Sequence, residues 1–133
     1  MTTRHFGLRI DHPSMSSDTL IASFKVKPNV AQSVGMPRVT PKGARLAGLY
    51  RSTYLFFDLG TAASIADGLA TALAFAAQHR SVLAQIAATN GTAQVLVHQD
   101  FSDANGVCVA PEEISALAEL SLGFGFDLLG STP

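Results

Sequence analysis

Hydrophobic and polar positions alternate near the start of the chain, where Phe6, Leu8 and Ile10 are separated by single small or charged residues. A period of two is typical of a strand with one buried face, so a strand is predicted over 5–11. Pro13 is expected to end this strand, because its ring removes a backbone donor and fixes φ.

A short helix is predicted to follow. Leu20 and Phe24 stand at helical spacing, and Ser16 or Ser17 can cap the first turn through a side-chain oxygen. Pro28 is expected to stop this helix.

The stretch 29–43 has the composition of an irregular loop, on which Arg38 and Lys42 are expected to be exposed. Long loops in compact domains often carry function. Its backbone-breaking residues are Gly35, Pro37, Pro41 and Gly43.

Strand signals resume over 45–59, with a break near Ser52-Thr53, and two helices are predicted next. In the first helix, Phe75 lies outside the stripe of core residues that contains Leu69 and Ala72. The second helix is expected to be capped by Ser81 and to stop at Asn90-Gly91.

The remaining segments predict a hairpin of 94–98 with 106–109, a helix that opens at Pro111, and a last strand over 124–128. These elements together predict a single α+β domain over 1–133. We expect a mixed, largely antiparallel sheet with helices packed mainly on one face.

Only 14% of the residues are charged, compared with about a quarter in an average soluble domain. Either the surface is polar through Ser, Thr, Gln and Asn, or another subunit covers part of the apolar surface. We expect a homodimer, with Phe75 as an interface residue.

Charge is strongly polarised along the chain. The first 51 residues hold eight of the nine Lys and Arg residues, whereas the remaining 82 hold eight of the ten Asp and Glu residues. Either the molecule has a basic and an acidic surface, or the two sets pair within the fold. Four basic residues are candidates for an anion-binding or partner-binding patch: Arg38, Lys42, Arg45 and Arg51.

The sequence favours a cytoplasmic protein that binds neither membranes nor nucleic acid. It contains no apolar segment long enough to span a bilayer and no signal peptide at its start. The single cysteine, Cys108, fits a reducing compartment. A sequence pI near 6.4 argues against a nucleic-acid-binding domain.

No pattern of catalytic or metal-ligating residues emerges, so we expect no enzyme activity, no cofactor and no metal. Cys108 and His98 could meet in the predicted hairpin, but a cysteine between two valines is more often a small buried apolar residue. The loop 103–106 followed by Glu112 matches parts of a calcium loop, but Phe101 stands where the first ligand belongs. The four histidines lack paired metal spacing, and we expect surface or capping roles for them.

Both ends of the chain contain segments typical of one protein family. They are Ile10-Asp11-His12-Pro13, Ser16-Ser17-Asp18-Thr19-Leu20-Ile21, Lys27-Pro28-Asn29, Gly35, Val109-Ala110-Pro111-Glu112-Glu113-Ile114, Leu117-Ala118-Glu119-Leu120 and the strand 124–128. With these segments the chain resembles the bacterial family called domain of unknown function 4279. The family has no known catalytic residues, so the resemblance implies none here.

The sequence therefore predicts a non-catalytic binding or protein-interaction module, such as a protein that neutralises a toxic partner. The alternative is a domain that binds a small anionic ligand through the basic loop 35–51.

Overall fold

The computed structural model describes residues 4–100 and 108–129. Within these ranges the chain forms seven strands and four helices. In chain order they are β1 (Arg4–His12), α1 (Ser17–Ser23), β2 (Val30–Gln32), β3 (Pro37–Val39), β4 (Arg45–Leu49), β5 (Thr53–Ala62), α2 (Ile65–Gln78), α3 (Arg80–Ala88), β6 (Thr92–Asp100), α4 (Pro111–Glu119) and β7 (Gly123–Leu129).

Five strands form the main sheet in the order β2-β5-β1-β6-β7, and β3 and β4 pair separately as a two-stranded hairpin. The pairs within β2-β5-β1-β6 are antiparallel, whereas β6 and β7 run parallel. A parallel pair needs a crossover connection, and α4 lies in it. The expected α+β class and largely antiparallel sheet are confirmed.

One face of the sheet carries the core. Alternate residues of the three central strands point to this face, and α2 packs across β1 and β5 while α3 packs on β6. Strand residues buried there are Phe6, Leu8 and Ile10 of β1, Leu55 and Phe57 of β5, and Val95 and Val97 of β6. We call the opposite side, which bears the other set of alternate residues, the open face.

Close packing of α2 on the sheet depends on Gly68. A Cβ at this position would overlap the ring of Phe6, which is almost fully buried. Glycine therefore lets the helix approach β1 more closely than any other residue would allow.

Several predicted helix ends are confirmed. Ser16 caps α1 by accepting a hydrogen bond from the Thr19 amide, and Pro111 begins α4. Asn90 has φ of 72° beyond the end of α3, which is the expected left-handed stop. The cap of α3 is His79 rather than Ser81.

Two predictions about the strands are wrong. The stretch 29–43, expected to be irregular, contains the short strands β2 and β3. The expected hairpin of 94–98 with 106–109 does not form, because β1 and β7 occupy the two edges of β6 and residues 108–109 are not in a strand. Residues 101–107 of that hairpin lie outside the described residues.

Candidate functional site

The hairpin of β3 and β4 is a two-stranded sheet separate from the main sheet. A turn connects the two strands, in which the Gly43 amide donates to the Thr40 carbonyl over 2.8 Å. Gly43 has φ of 87°, a value that L residues with side chains rarely adopt. We call residues 35–51 the basic arm.

Tyr50 holds the two sides of the basic arm together. Its hydroxyl accepts from the Val39 amide at 3.2 Å and donates to the Val39 carbonyl at 3.3 Å. Its own amide donates to the Met36 carbonyl at 2.9 Å. These bonds give the arm a defined shape although it contributes no strand to the main sheet.

The base of the arm is fixed to the rest of the chain through Thr53, which is buried. The Thr53 hydroxyl accepts from the Val34 amide at 3.0 Å and donates to the Met15 carbonyl at 2.6 Å. The start of the arm is thereby connected to the segment that precedes α1.

The four cations predicted as a binding patch all lie on the basic arm, and all are exposed. Arg38 is in β3, Lys42 in the turn, Arg45 at the start of β4 and Arg51 just after β4. Among residues 4–100 and 108–129, none of the four forms an ion pair with a carboxylate. The arm also contains no Asp or Glu, so no carboxylate within the arm offsets its positive charge.

Exposed apolar side chains accompany these cations. The described part of the chain has eight large hydrophobic residues with high exposure, and half of them are on the basic arm. Leu49 is the most exposed of these, at 57%. The four are Met36, Val39, Leu46 and Leu49.

A groove of about 760 Å³ lies between the arm and the β2 edge of the sheet. Its lining combines apolar arm residues such as Val39 and Pro41 with hydroxyl and amide groups such as Ser17 and Gln32. None of the four arm cations lines it, whereas Asp18 does. The predicted basic residues are therefore exposed on the arm but do not line the groove.

A second polar cluster occupies the open face. His5 and His98 are directly opposite on β1 and β6, with ring centroids 6.4 Å apart. The His5 Nε2 lies 2.6 Å from the Asp58 Oδ1, and the His98 Nδ1 lies 3.3 Å from the Asp127 Oδ2. Within the described residues, no group of three or more such side chains is arranged to hold a metal ion.

Hydrogen bonds favour the charged form of Asp58 in this cluster. The Gly60 amide donates to the Asp58 carboxylate at 2.8 Å, and this bond, together with His5, lowers the pKa of Asp58. On the same face, the Arg9 guanidinium binds Asp11 at 2.8 Å and lies over the Tyr54 ring. The hydrogen bond from Arg9 to Asp11 raises the pKa of Arg9, and burial raises the pKa of Tyr54.

We expected surface or capping histidines, but His12 and His79 are both buried. The capping position is confirmed for His79, which is the N-cap residue of α3. His79 Nδ1 donates to the Phe75 carbonyl at 2.9 Å, and its Nε2 accepts from the Lys25 amide at 3.2 Å. The distant partner of His79 is thus a backbone amide, whereas that of His12 is the side-chain hydroxyl of Thr89. The sequence around the two histidines gives no signal of such long-range bonds.

Cys108 is exposed, so the expected burial between two valines is wrong. Phe75 is half-buried within its own chain, with its ring centroid 5.3 Å from that of Phe57 and 4.7 Å from that of His79. The dimer contact expected at Phe75 stays a prediction.

No helix in the described part of the chain is long and apolar enough to cross a membrane. No family model, curated protein or solved structure matches the chain significantly. The resemblance to domain of unknown function 4279 accordingly stays a prediction.

Proposed function

We propose that this chain is a non-catalytic protein-interaction module that docks on an acidic partner through the basic arm. The observation that carries this proposal is the combination, on the basic arm, of four exposed cations with four exposed apolar side chains. None of these cations forms an ion pair with a carboxylate in the described part of the chain. Such a surface suits a partner that offers carboxylates around an apolar centre. A toxin neutralised by this chain in a bacterial cytoplasm would be a partner of this kind.

The shape of the arm supports a role in docking. Hydrogen bonds of Tyr50 and of the turn at Gly43 fix the hairpin before any partner arrives. A fixed hairpin loses less conformational entropy on binding than a flexible loop. The four cations of the arm also accelerate its encounter with an acidic surface.

The alternative is a small anionic ligand bound by the loop 35–51. The groove beside the arm has enough volume for such a ligand, but its charged lining residue is Asp18 and not one of the four cations. A carboxylate beside an anion is repulsive. The protein partner is therefore the better-supported function.

A photo-crosslinking residue placed at Leu49, which is exposed on the arm, tests the proposal in cells. The matched control carries the same residue at Gln78, which is exposed on α2. We expect a crosslinked protein from Leu49 alone, and an acidic surface on that protein at the crosslinked position. Crosslinks from Leu49 to nucleic acid or lipid instead of protein would overturn the proposal.

The identified partner then allows a test with purified proteins. Arg38→Ala combined with Lys42→Ala should weaken binding by at least about tenfold, because two exposed cations are lost. Lys25→Ala with Arg80→Ala is the control with the same loss of charge outside the arm. Unchanged affinity of the arm variant, together with a clearly lower melting temperature, would mean that the cations serve the fold.

A further inference from the structure

Exposed apolar side chains collect at two opposite edges of the main sheet. Of the eight in the described part of the chain, four are on the basic arm and Val30 lies beside it in β2, while Val26 is in the connection between α1 and β2. The remaining two, Ile114 and Phe126, belong to α4 and β7 at the other edge. Such side chains normally mark an interaction surface when they cluster.

The β7 edge contains an apolar groove of about 340 Å³ between α4 and β7. Ile114, 56% exposed, stands on its wall. Its lining consists of Val109, Ile114, Leu117, Ala118, Leu122 and Phe124. We call this the α4–β7 groove.

The two edges carry opposite charge. Residues 35–51 contain four Lys and Arg and no Asp or Glu, whereas residues 109–129 contain four Asp and Glu and no Lys or Arg. Glu112 and Glu119 are exposed on α4. Contact between two arms, or between two α4–β7 grooves, would therefore bring like charges together, whereas an arm and a groove attract each other.

We propose that the basic arm of one copy binds the α4–β7 groove of a second copy, head to tail. This inference rests on the proposed function of the arm and names a partner for it. The apolar arm residues cover the groove, and the arm cations approach the carboxylates of α4. Because arm and groove are at opposite edges, a pair of copies still has one arm and one groove free, and further copies can add.

The inference is tested by measuring the mass of the purified full chain in solution. Sedimentation or light scattering across the micromolar range gives this mass. We expect a mass above the 13.9 kDa of one chain, rising past two chains with concentration. The mass should fall when salt is raised from about 0.1 M to about 1 M, because the Debye length shrinks from about 10 Å to about 3 Å.

Two variants test the basic arm and the α4–β7 groove one at a time. Lys42→Glu with Arg45→Glu disables the arm, and Ile114→Lys disables the groove. All three positions are exposed, so both proteins should fold. Each variant alone should remain at 13.9 kDa, while Lys25→Glu with Arg80→Glu, the control with the same change of charge, should associate like the wild type.

Mixing the two variants gives the decisive result. The groove of the arm variant and the arm of the groove variant are intact, so an equimolar mixture should form a pair of one copy of each and stop there. A wild type that stays monomeric would overturn the head-to-tail contact. So would a result in which each variant on its own associates as the wild type does. If the wild type is monomeric and yet the arm variant loses an acidic partner, the proposed function stands without this inference.

Discussion

The His12 ring donates from Nε2 to the Thr89 hydroxyl over 2.8 Å, although 77 positions separate the two residues in the chain. On the other side of the ring, Nδ1 accepts from the amides of Ser14 and Met15. The Thr89 hydroxyl in turn donates to the Gln85 carbonyl at 2.8 Å. This chain of bonds ties the end of β1 to the end of α3, and it requires a neutral imidazole because Nδ1 must accept.

Acid should destabilise the protein because the His12 ring is buried in its neutral form. Burial lowers the pKa of His12 below its ordinary value of 6.5, so the unfolded chain binds the proton more readily than the folded one. Stability should be independent of this group above about pH 6.5 and should fall as the pH drops below it, by at most about 1.4 kcal/mol per unit. Urea unfolding at a series of pH values measures the slope.

His12→Asn provides the comparison, because its side-chain oxygen can still accept from the Ser14 and Met15 amides. The variant should be less stable at neutral pH but should lose less stability on acidification. His5→Asn, at a partly exposed position, is the control. Parallel curves for wild type and His12→Asn would contradict the role assigned to burial.

Cys108 should react with thiol reagents in the native protein, because it is exposed. We expect labelling at neutral pH within about tenfold of the rate in the urea-unfolded chain, since access no longer limits the reaction. Mass spectrometry of the labelled protein measures the rate, and Cys108→Ser gives the background. Labelling only after unfolding would show that the thiol is covered.

Gly68→Ala should destabilise the fold although alanine favours helices by about 1 kcal/mol. The added methyl group meets the buried Phe6 ring, and overpacking of this kind costs about 1–3 kcal/mol. In a Phe6→Leu background the same change should cost less. A double-mutant cycle from denaturant unfolding measures the difference, and additive effects would disprove the contact.

Phe75→Glu should lower the melting temperature, because Phe75 packs against Phe57 and His79 within its own chain. We expect a loss of about 2 kcal/mol or more from lost packing and a poorly solvated carboxylate. Phe75→Leu, which keeps an apolar side chain, should be much milder. A Phe75→Glu protein of unchanged stability but reduced mass in solution would instead identify Phe75 as an interface residue.

Local sequence patterns were sufficient for elements that depend on neighbouring residues. Pro111 opens α4 and Asn90 follows the end of α3 because the backbone preferences of these residues act at their own positions. The parallel pairing of β6 with β7 was missed, because a crossover connects strands without any local turn signal.

The candidate site was predicted only in part. The four arm cations were identified from their charge, but the strand around Arg38 was not, since Pro37 argued against it. Proline is tolerated as the first residue of a strand, where no ladder donor is needed, and Pro37 begins β3. The α4–β7 groove could not be predicted from the sequence, because Val109, Ile114 and Phe124 come together only once the crossover has formed.

The central place of β1 in the sheet has a consequence for folding during synthesis. His5 leaves the ribosome before most of the chain, but its neighbours in the sheet are Thr61 and His98. The central strand therefore lacks a complete set of neighbouring strands, with Phe6, Leu8 and Ile10 on its core face, until β6 has also been translated. Pairings this distant slow folding and expose apolar segments to aggregation, so the nascent chain should depend on chaperones more than a helical bundle of equal length.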